Sequence, residues 1–387
     1  MSTQSTARRN GSKPLSIAMI GTRGLPASYG GVEVAVEQLS RELAKHGHRV
    51  SVYGRSAYCD PDLHEIDGVE QITLPQINTK HLEALSHTML STMHAVTRRR
   101  FDVIHFHATG PTMLSLATRA LGVPTVATVH GLDWRREKWG TTARQTLRVA
   151  ARVAATVPDE TIAVSQELER FLNSNYKTST TYIPNGVNLS EPDEQTPVDG
   201  LEAGRFVLHL GRVVPEKQAH VLIKAFKNVP TDCRLAIVGP SSHSDAYMQE
   251  VQELADRDDR VLLLGPRYGS EKAWLLQNAA VFVQPSTLEG LPIALLEALA
   301  HDLFTIVSDI PENVEAVTLS DEQPHGLVFR TGDVDDLSHK LTLALSRDSR
   351  PIDDLLPVGD LVRERYDWER IARDTESVYR RALTSAR

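Results

Sequence analysis

The chain has 387 residues, 41% of them hydrophobic, with 50 acidic against 42 basic side chains and a net charge of −8. Such a length exceeds one ordinary domain and suits two of roughly 180 residues, and the acidic balance offers no general attraction to nucleic acid. With only Cys59 and Cys233 a disulfide framework is excluded, and no apolar run approaches the roughly 20 residues of a membrane-spanning helix.

Residues 1–14 are polar without an apolar stretch and are expected to be a disordered leader, not a signal peptide. Together with the scarce cysteines this points to a cytoplasmic protein. Strands are then predicted at Ser16–Ile20, Arg49–Tyr53, Val103–Phe106, Thr125–Val129 and Thr161–Val164. Helices are predicted at Val34–His46, His81–Arg99, Thr112–Leu121 and Thr141–Thr156, an alternation that marks parallel α/β sheets. After Thr181–Ile183 the run Pro184-Asn185-Gly186-Val187 is a turn signal, closing a first domain over 15–187. Residues 188–204 are rich in Glu, Asp, Pro and Gly and are read as a linker.

A second α/β series follows over 205–365. Its strands are Phe206–Leu210, Arg234–Val238, Val261–Leu264, Val281–Gln284, Thr305–Val307 and Leu327–Phe329. Its helices include Lys217–Lys227, Tyr247–Ala255, Glu271–Ala279 and Asp333–Ser346, and a last helix, Tyr366–Ala382, lies in the closing stretch 366–387. Two doubly wound domains would face one another, with ligand in the crevice at the carboxyl ends of their strands.

Four segments carry chemistry. Glu289-Gly-Leu-Pro-Ile-Ala-Leu-Leu-Glu297 brackets a helix start, with Gly290 for a tight approach and Pro292 suited to the first turn. Carboxylates there accept hydrogen bonds from hydroxyls, and free amides at the helix start attract an anion; the same pattern also fits an ordinary amphipathic helix. Ile20 ends the first strand and leads into Gly21-Thr-Arg-Gly24-Leu-Pro-Ala-Ser-Tyr-Gly30-Gly31, a glycine-rich loop before a helix that lacks the dinucleotide fingerprint. Arg212 and Lys217 follow the strand ending at Leu210, where two cations can neutralise a diphosphate or simply be solvated. His130 closes the strand Thr125–Val129 and is expected in the cleft. His105 and His107 share one strand face, but no carboxylate or cysteine completes a metal set around them. A basic stretch between Trp134 and Thr156 places Arg144, Arg148 and Arg152 on one helical stripe. It is either a solvated face or a face for anionic lipid or a diphosphate-linked lipid acceptor, with Trp134 and Trp139 at the interface.

The spacing of Glu289 and Glu297 resembles the E-x(7)-E signature of retaining glycosyltransferases of family 4, and the likeness runs from about Ile17 to Tyr379. That resemblance implies a GT-B fold: an N-terminal acceptor-binding domain, a C-terminal nucleotide-sugar-binding domain, and a final helix crossing back to the first domain at Tyr366-Asp-Trp-Glu-Arg-Ile371. It implies a nucleoside-diphosphate sugar as donor, with neither metal nor cofactor, and a glycan or polyprenyl-diphosphate-linked acceptor. Position by position, Gly30, Gly31, Arg212, Lys217 and the Gly290, Leu291, Pro292, Ile293 turn would hold the diphosphate. His130 and Glu289 would hold the transferred sugar, Glu297 the ribose, and Gly265-Pro-Arg267-Tyr268 the base. His130, Arg212, Lys217 and Glu289 are thus the expected catalytic set. One departure stands out: Gln218 follows Lys217 where the family often has glycine. The string GTRGLPASYGGVE further resembles a subgroup that adds rhamnose or other hexoses to surface polysaccharides, which favours a cell-envelope role and a peripheral position at the membrane. The rival readings are a nucleotide-sugar 2-epimerase of the same fold and a non-catalytic sugar-nucleotide scaffold; an NAD-dependent oxidoreductase is disfavoured by the missing fingerprint.

Overall fold

The computed structural model describes residues 13–27, 30–77, 79, 82–98, 101–136, 139–187, 195–241, 245–319, 324–346 and 357–385. Most of the expected leader, the first part of the expected linker, and His81 and Arg99 of the second predicted helix lie outside them.

The first half contains strands β1 (Ser16–Ile20), β2 (Arg49–Arg55), β3 (Glu65–Ile66), β4 (Val69–Leu74), β5 (Val103–His107), β6 (Thr125–Val129), β7 (Glu160–Ala163) and β8 (Thr181–Tyr182). Its helices are α1 (Gly31–Lys45), α2 (Glu83–Arg98), α3 (Thr109–Thr112), α4 (Ser115–Ala120), α5 (Thr141–Thr156) and α6 (Gln166–Tyr176). The strands form one sheet in the order β3-β4-β2-β1-β5-β6-β7-β8, parallel except for the β3–β4 hairpin. Asp67 and Gly68, with φ of 50° and 80°, make that hairpin's turn. The Asp-Gly pair is the local signal for this hairpin, which the predicted strands do not include.

In the second half, strands β9 (Phe206–Leu210), β10 (Arg234–Val238), β11 (Val261–Gly265), β12 (Val281–Gln284), β13 (Thr305–Ser308) and β14 (Leu327–Phe329) form a parallel sheet in the order β11-β10-β9-β12-β13-β14. Around it lie α7 (Ala219–Lys227), α8 (Asp245–Ala255), α9 (Gly269–Asn278), α10 (Ile293–Ala300), α11 (Pro311–Val317), α12 (Val334–Leu345) and α13 (Gly359–Arg365), and α14 (Trp368–Ser385) ends the chain. Both sheets reverse strand order beside their first strand, β1 and β9, which places a crevice at the carboxyl ends there.

The predicted final helix, Tyr366–Ala382, is α14 and begins at Trp368; a separate helix, α13, precedes it. Tyr366 ends α13 and is buried with Val358 and Val362 in the core of the second lobe. Trp368 begins α14, whose Ile371, Ala372, Val378 and Tyr379 are buried against Ile17, Val36 and Val52 of the first lobe. The chain therefore changes lobes within three residues. It is tied there by Val187 N–H donating to the Tyr366 carbonyl at 2.9 Å, and Gly186 lies so close under the Trp368 indole that a Cβ would overlap the ring. Gly186→Ala overpacks this junction at a cost of about 1–3 kcal/mol. A melting temperature a few degrees lower in calorimetry is the expected result, and an unchanged one would remove the crossover from the account.

A second tie joins the lobes at α6. The Glu315 carboxylate of α11 accepts from the amides of Gln166 (2.9 Å) and Glu167 (3.2 Å), capping the positive end of α6 from across the lobe boundary. The two expected linker residues Val198 and Leu201 are buried in the same apolar cluster as Phe206 and Leu276, so that part of the stretch packs as core.

Candidate active site

The cleft between the lobes is lined from the first by Gly30, Gly31, His130, Gly131 and Arg136, and from the second by Arg212, Lys217, Lys272 and the Glu289–Glu297 segment. Pro266, Arg267 and Tyr268 line it too, at the start of α9, with Tyr268 exposed at the rim. The sequence-predicted cleft residues are therefore brought together, although they come from two sheets.

Glu289 is the most constrained of them. Its Oε1 accepts from Lys217 Nζ at 2.5 Å and from Gln284 Nε2 at 2.5 Å. Burial opposes its ionisation, but Lys217 and hydrogen bonds from Ser286 and Gln284 outweigh it and hold the carboxyl below its ordinary value. Glu289 is thus a carboxylate held in place as an anion. Glu297 is buried on α10 and pairs with Lys272 of α9 at 2.7 Å. Lys272 was absent from the sequence-level candidates: it stands in an unremarkable helical context, Gly-Ser-Glu-Lys-Ala-Trp, and only the fold brings it to Glu297.

Each of these two lysines is neutralised by a glutamate. Among the described residues, no carboxylate closes an ion pair with Arg212, and burial followed by the repulsion of Arg136 lowers its pKa. Arg136 reaches the cleft from the first lobe and is held by Asp133 at 3.1 Å. The sequence reading placed it only among a run of basic residues. Arg212, repelled by Arg136 and without an ion-pair partner of its own among the described residues, makes a site for an anion.

Gln218 occupies the left-handed region with φ 55° and ψ 33°, which explains the glycine common after this lysine. Here the side chain helps hold the turn: Gln218 Nε2 donates to the Pro215 carbonyl at 2.8 Å. The predicted helix from Lys217 accordingly begins at Ala219, after a tight turn over Pro215–Lys217.

The cleft glycines take different backbone parts. Gly30 is extended, with φ 172°, and caps α1 as bare backbone beside the cleft. Gly290 makes its tight approach to protein: a Cβ there would overlap the His130 carbonyl of the other lobe, and Gly131 faces it. Pro292 is extended at the position before α10, not inside its first turn. The amides of Leu295 and Leu296 bond to the Pro292 carbonyl, which leaves those of Ile293 and Ala294 at the helix start for an anion.

His130 lies over a column of buried imidazoles. His107 Nε2 is 3.4 Å from the sulfur of Met19, which can only accept, so His107 carries its proton on Nε2. His107 Nδ1 is then a lone pair, and the 3.2 Å contact makes His130 Nε2 the donor to it. His130 Nδ1 is left as an acceptor with no partner among the described residues. Burial keeps these rings neutral, taking His130 down to about 4 against the pull of Asp133 and His107 well below its usual range. His105 uses its nitrogens on Tyr379 (2.8 Å) and Thr128 (2.7 Å).

On α5, Arg144, Arg148 and Arg152 are exposed, as a stripe requires. Trp134 lies at the foot of this stripe. Its ring is half-buried against Phe171, with Arg148 over it at 4.7 Å and Arg135 at 5.3 Å, so it anchors the stripe to the lobe.

Two facing α/β lobes with this cleft define the architecture of a GT-B transferase. Sucrose-phosphate synthase from Thermosynechococcus elongatus superposes with a TM-score of 0.76 at 23% identity, covering 95% of this chain and 98% of that one. The model for Glycosyltransferase Family 4 matches residues 29–191 and that for Glycosyl transferases group 1 matches 193–353. The chain belongs to this family of glycosyltransferases. The uncharacterized glycosyltransferase YqgM of Bacillus subtilis is 30% identical over 54% of this chain and 59% of its own length. UDP-Gal:alpha-D-GlcNAc-diphosphoundecaprenol alpha-1,3-galactosyltransferase of Escherichia coli is 28% identical over 58% of this chain and 62% of its own. The matched segment thus spans about three fifths of these two relatives.

Proposed function

We propose that the protein moves a hexosyl residue from a nucleoside-diphosphate sugar, a UDP-sugar in the first instance, to a glycan or lipid-linked acceptor with retention at the anomeric carbon. The observation that carries the reading is Arg212, which among the described residues has no ion-pair partner, beside the Lys217–Glu289 ion pair and the amides of Ile293 and Ala294. Heterolysis between the anomeric carbon and the diphosphate places positive charge on the sugar and negative charge on the leaving phosphate. Arg212, Lys217 and the helix amides stabilise the latter as it develops, a preorganised electrostatic contribution. Glu289 accepts from sugar hydroxyls with His130 beside it, and Glu297, held by Lys272, accepts from the ribose. Attack comes from the face the leaving group vacates, assisted by its phosphate, with no covalent role for Glu289. The reading uses neither a bound metal nor a cofactor. The E. coli relative acts on a lipid-linked acceptor by name, which supports an envelope-polysaccharide substrate and a place at the inner membrane surface.

Thermal-shift measurement against UDP, GDP and dTDP sugars tests the donor, since a ligand of the folded form alone raises the melting temperature. UDP-sugars are expected to give the largest rise, and no rise with any of the three would end the proposal. Incubation with the stabilising donor alone separates the rivals: an epimeric nucleotide sugar identifies an epimerase, and tight binding without turnover in the presence of acceptor identifies a scaffold.

A further inference from the structure

Helix α2 is amphipathic the wrong way round. Its inward face carries His87, Thr88, Ser91 and Thr92, all buried. Most of their polar atoms are paired locally: His87 Nε2 bonds the Gly54 carbonyl at 2.9 Å, and the two threonine hydroxyls donate one turn back along the helix, at 2.7 and 2.8 Å. Its outward face carries Leu85, Met89 and Met93, four residues apart and 47%, 56% and 59% exposed, with Leu82 leading into the stripe. Residues 84–97 contain no Asp, Glu, Lys or Arg. A solvated helix puts charge on this face, so an uncharged stripe of Leu and Met is the side that meets something apolar.

Charge identifies the occupant. The connections β4–α2–β5, β5–α3–α4–β6 and β6–α5–β7 all step the same way across the sheet, so right-handed crossovers place α2, α3, α4 and α5 on one side. Their mutual packing agrees, with α2 on α3 and both α3 and α4 on α5, while α1 and α14 cover the other side. Within residues 84–158 there are ten Lys and Arg against three Asp and Glu, in a chain whose net charge is −8. Of those acids, Asp102 binds the Ser16 amide at 2.7 Å and Asp133 pairs with Arg136. The exposed Arg144 and Arg152 of α5 therefore share with α2 a surface that is at once apolar and cationic.

We infer that this side of the N-terminal lobe is a docking surface for an anionic lipid bilayer, with the Leu85–Met89–Met93 stripe entering the headgroup boundary and the α5 arginines on the lipid phosphates. It deepens the proposed transfer to a lipid-linked acceptor, and flotation reads it separately from the reaction. The apolar component comes from α2, while Trp134 stays beneath Arg148.

Flotation of the full chain with phosphatidylcholine vesicles, with and without phosphatidylglycerol, tests it. The wild type is expected to float only with the anionic vesicles, and less at high salt. Met89→Glu/Met93→Glu is expected to lower recovery at least about tenfold, because two buried side chains leave the interface. Arg144→Glu/Arg152→Glu, on a different helix, is expected to abolish the preference for anionic lipid. Equal recovery with neutral vesicles, or unchanged recovery in both variants, overturns the inference. So does a wild-type dimer by light scattering that Met89→Glu/Met93→Glu dissolves, since a second copy would then be what covers α2. The thermal response to the nucleotide sugar is expected to be the same in Met89→Glu/Met93→Glu as in the wild type.

Discussion

Lys217→Ala is expected to lower kcat by about a hundredfold or more while the fold persists, the effect of removing one preorganised donor from a developing oxyanion. The ammonium has two duties in this geometry. It faces the proposed leaving phosphate, and it holds the buried Glu289 ionised across a 2.5 Å contact. Without it, burial raises the Glu289 pKa, and a protonated Glu289 presents an O–H where the sugar needs an acceptor. The pH profile supplies the sign. Glu289 is depressed in the wild type, so its acceptor form persists as pH falls; in the variant that form is lost at higher pH, and the acid limb of kcat/KM moves upward. Lys217→Ala/Glu289→Gln removes the stranded charge and is expected to recover the thermal stability of the single variant but none of its kcat. Steady-state rates from pH 5 to pH 9 decide the matter. Near-normal turnover in Lys217→Ala would remove Lys217 from the mechanism.

Gly290→Ala is expected to cost about a hundredfold in kcat/KM through position alone. The added methyl meets the carbonyl carbon and oxygen of His130, backbone atoms that cannot turn aside as a flexible side chain would. The lobes then stand apart at the point where the His130 ring and Glu289 converge on one cleft. One apolar cluster runs across this contact, from Val129 and Leu132 to Leu291 and Leu295, so the melting temperature is expected to fall as KM rises and kcat falls. Wild-type kinetics in this variant would show that the Gly290–His130 contact is incidental to turnover.

Some of the site was legible because it is local. Glu289 and Glu297 lie eight positions apart around a helix start, Arg212 follows a strand end, and Gly30-Gly31 precede a helix; each relation is carried by one element and its period. Gln218 was legible as a departure, and its φ of 55° supplies the cause. The Asp67-Gly68 hairpin had a local signal that the alternating pattern overshadowed. Helices α6 and α11 escaped because their apolar faces are short: α6 buries only Leu168 and Leu172 and is capped by Glu315 from 148 residues away.

Composition and period thus determined from the chain alone that two parallel α/β lobes would form, and which strand ends would carry charge, since hydrophobic alternation and glycine spacing are local properties. Only the tertiary structure decided the rest. Lys272 meets Glu297, Arg136 repels Arg212, Met19 and His107 set the proton on His130, and α2 turns its methionines outward. These are pairings between distant elements whose energies depend on distance and burial, and neither quantity exists until the sheets have closed on one another.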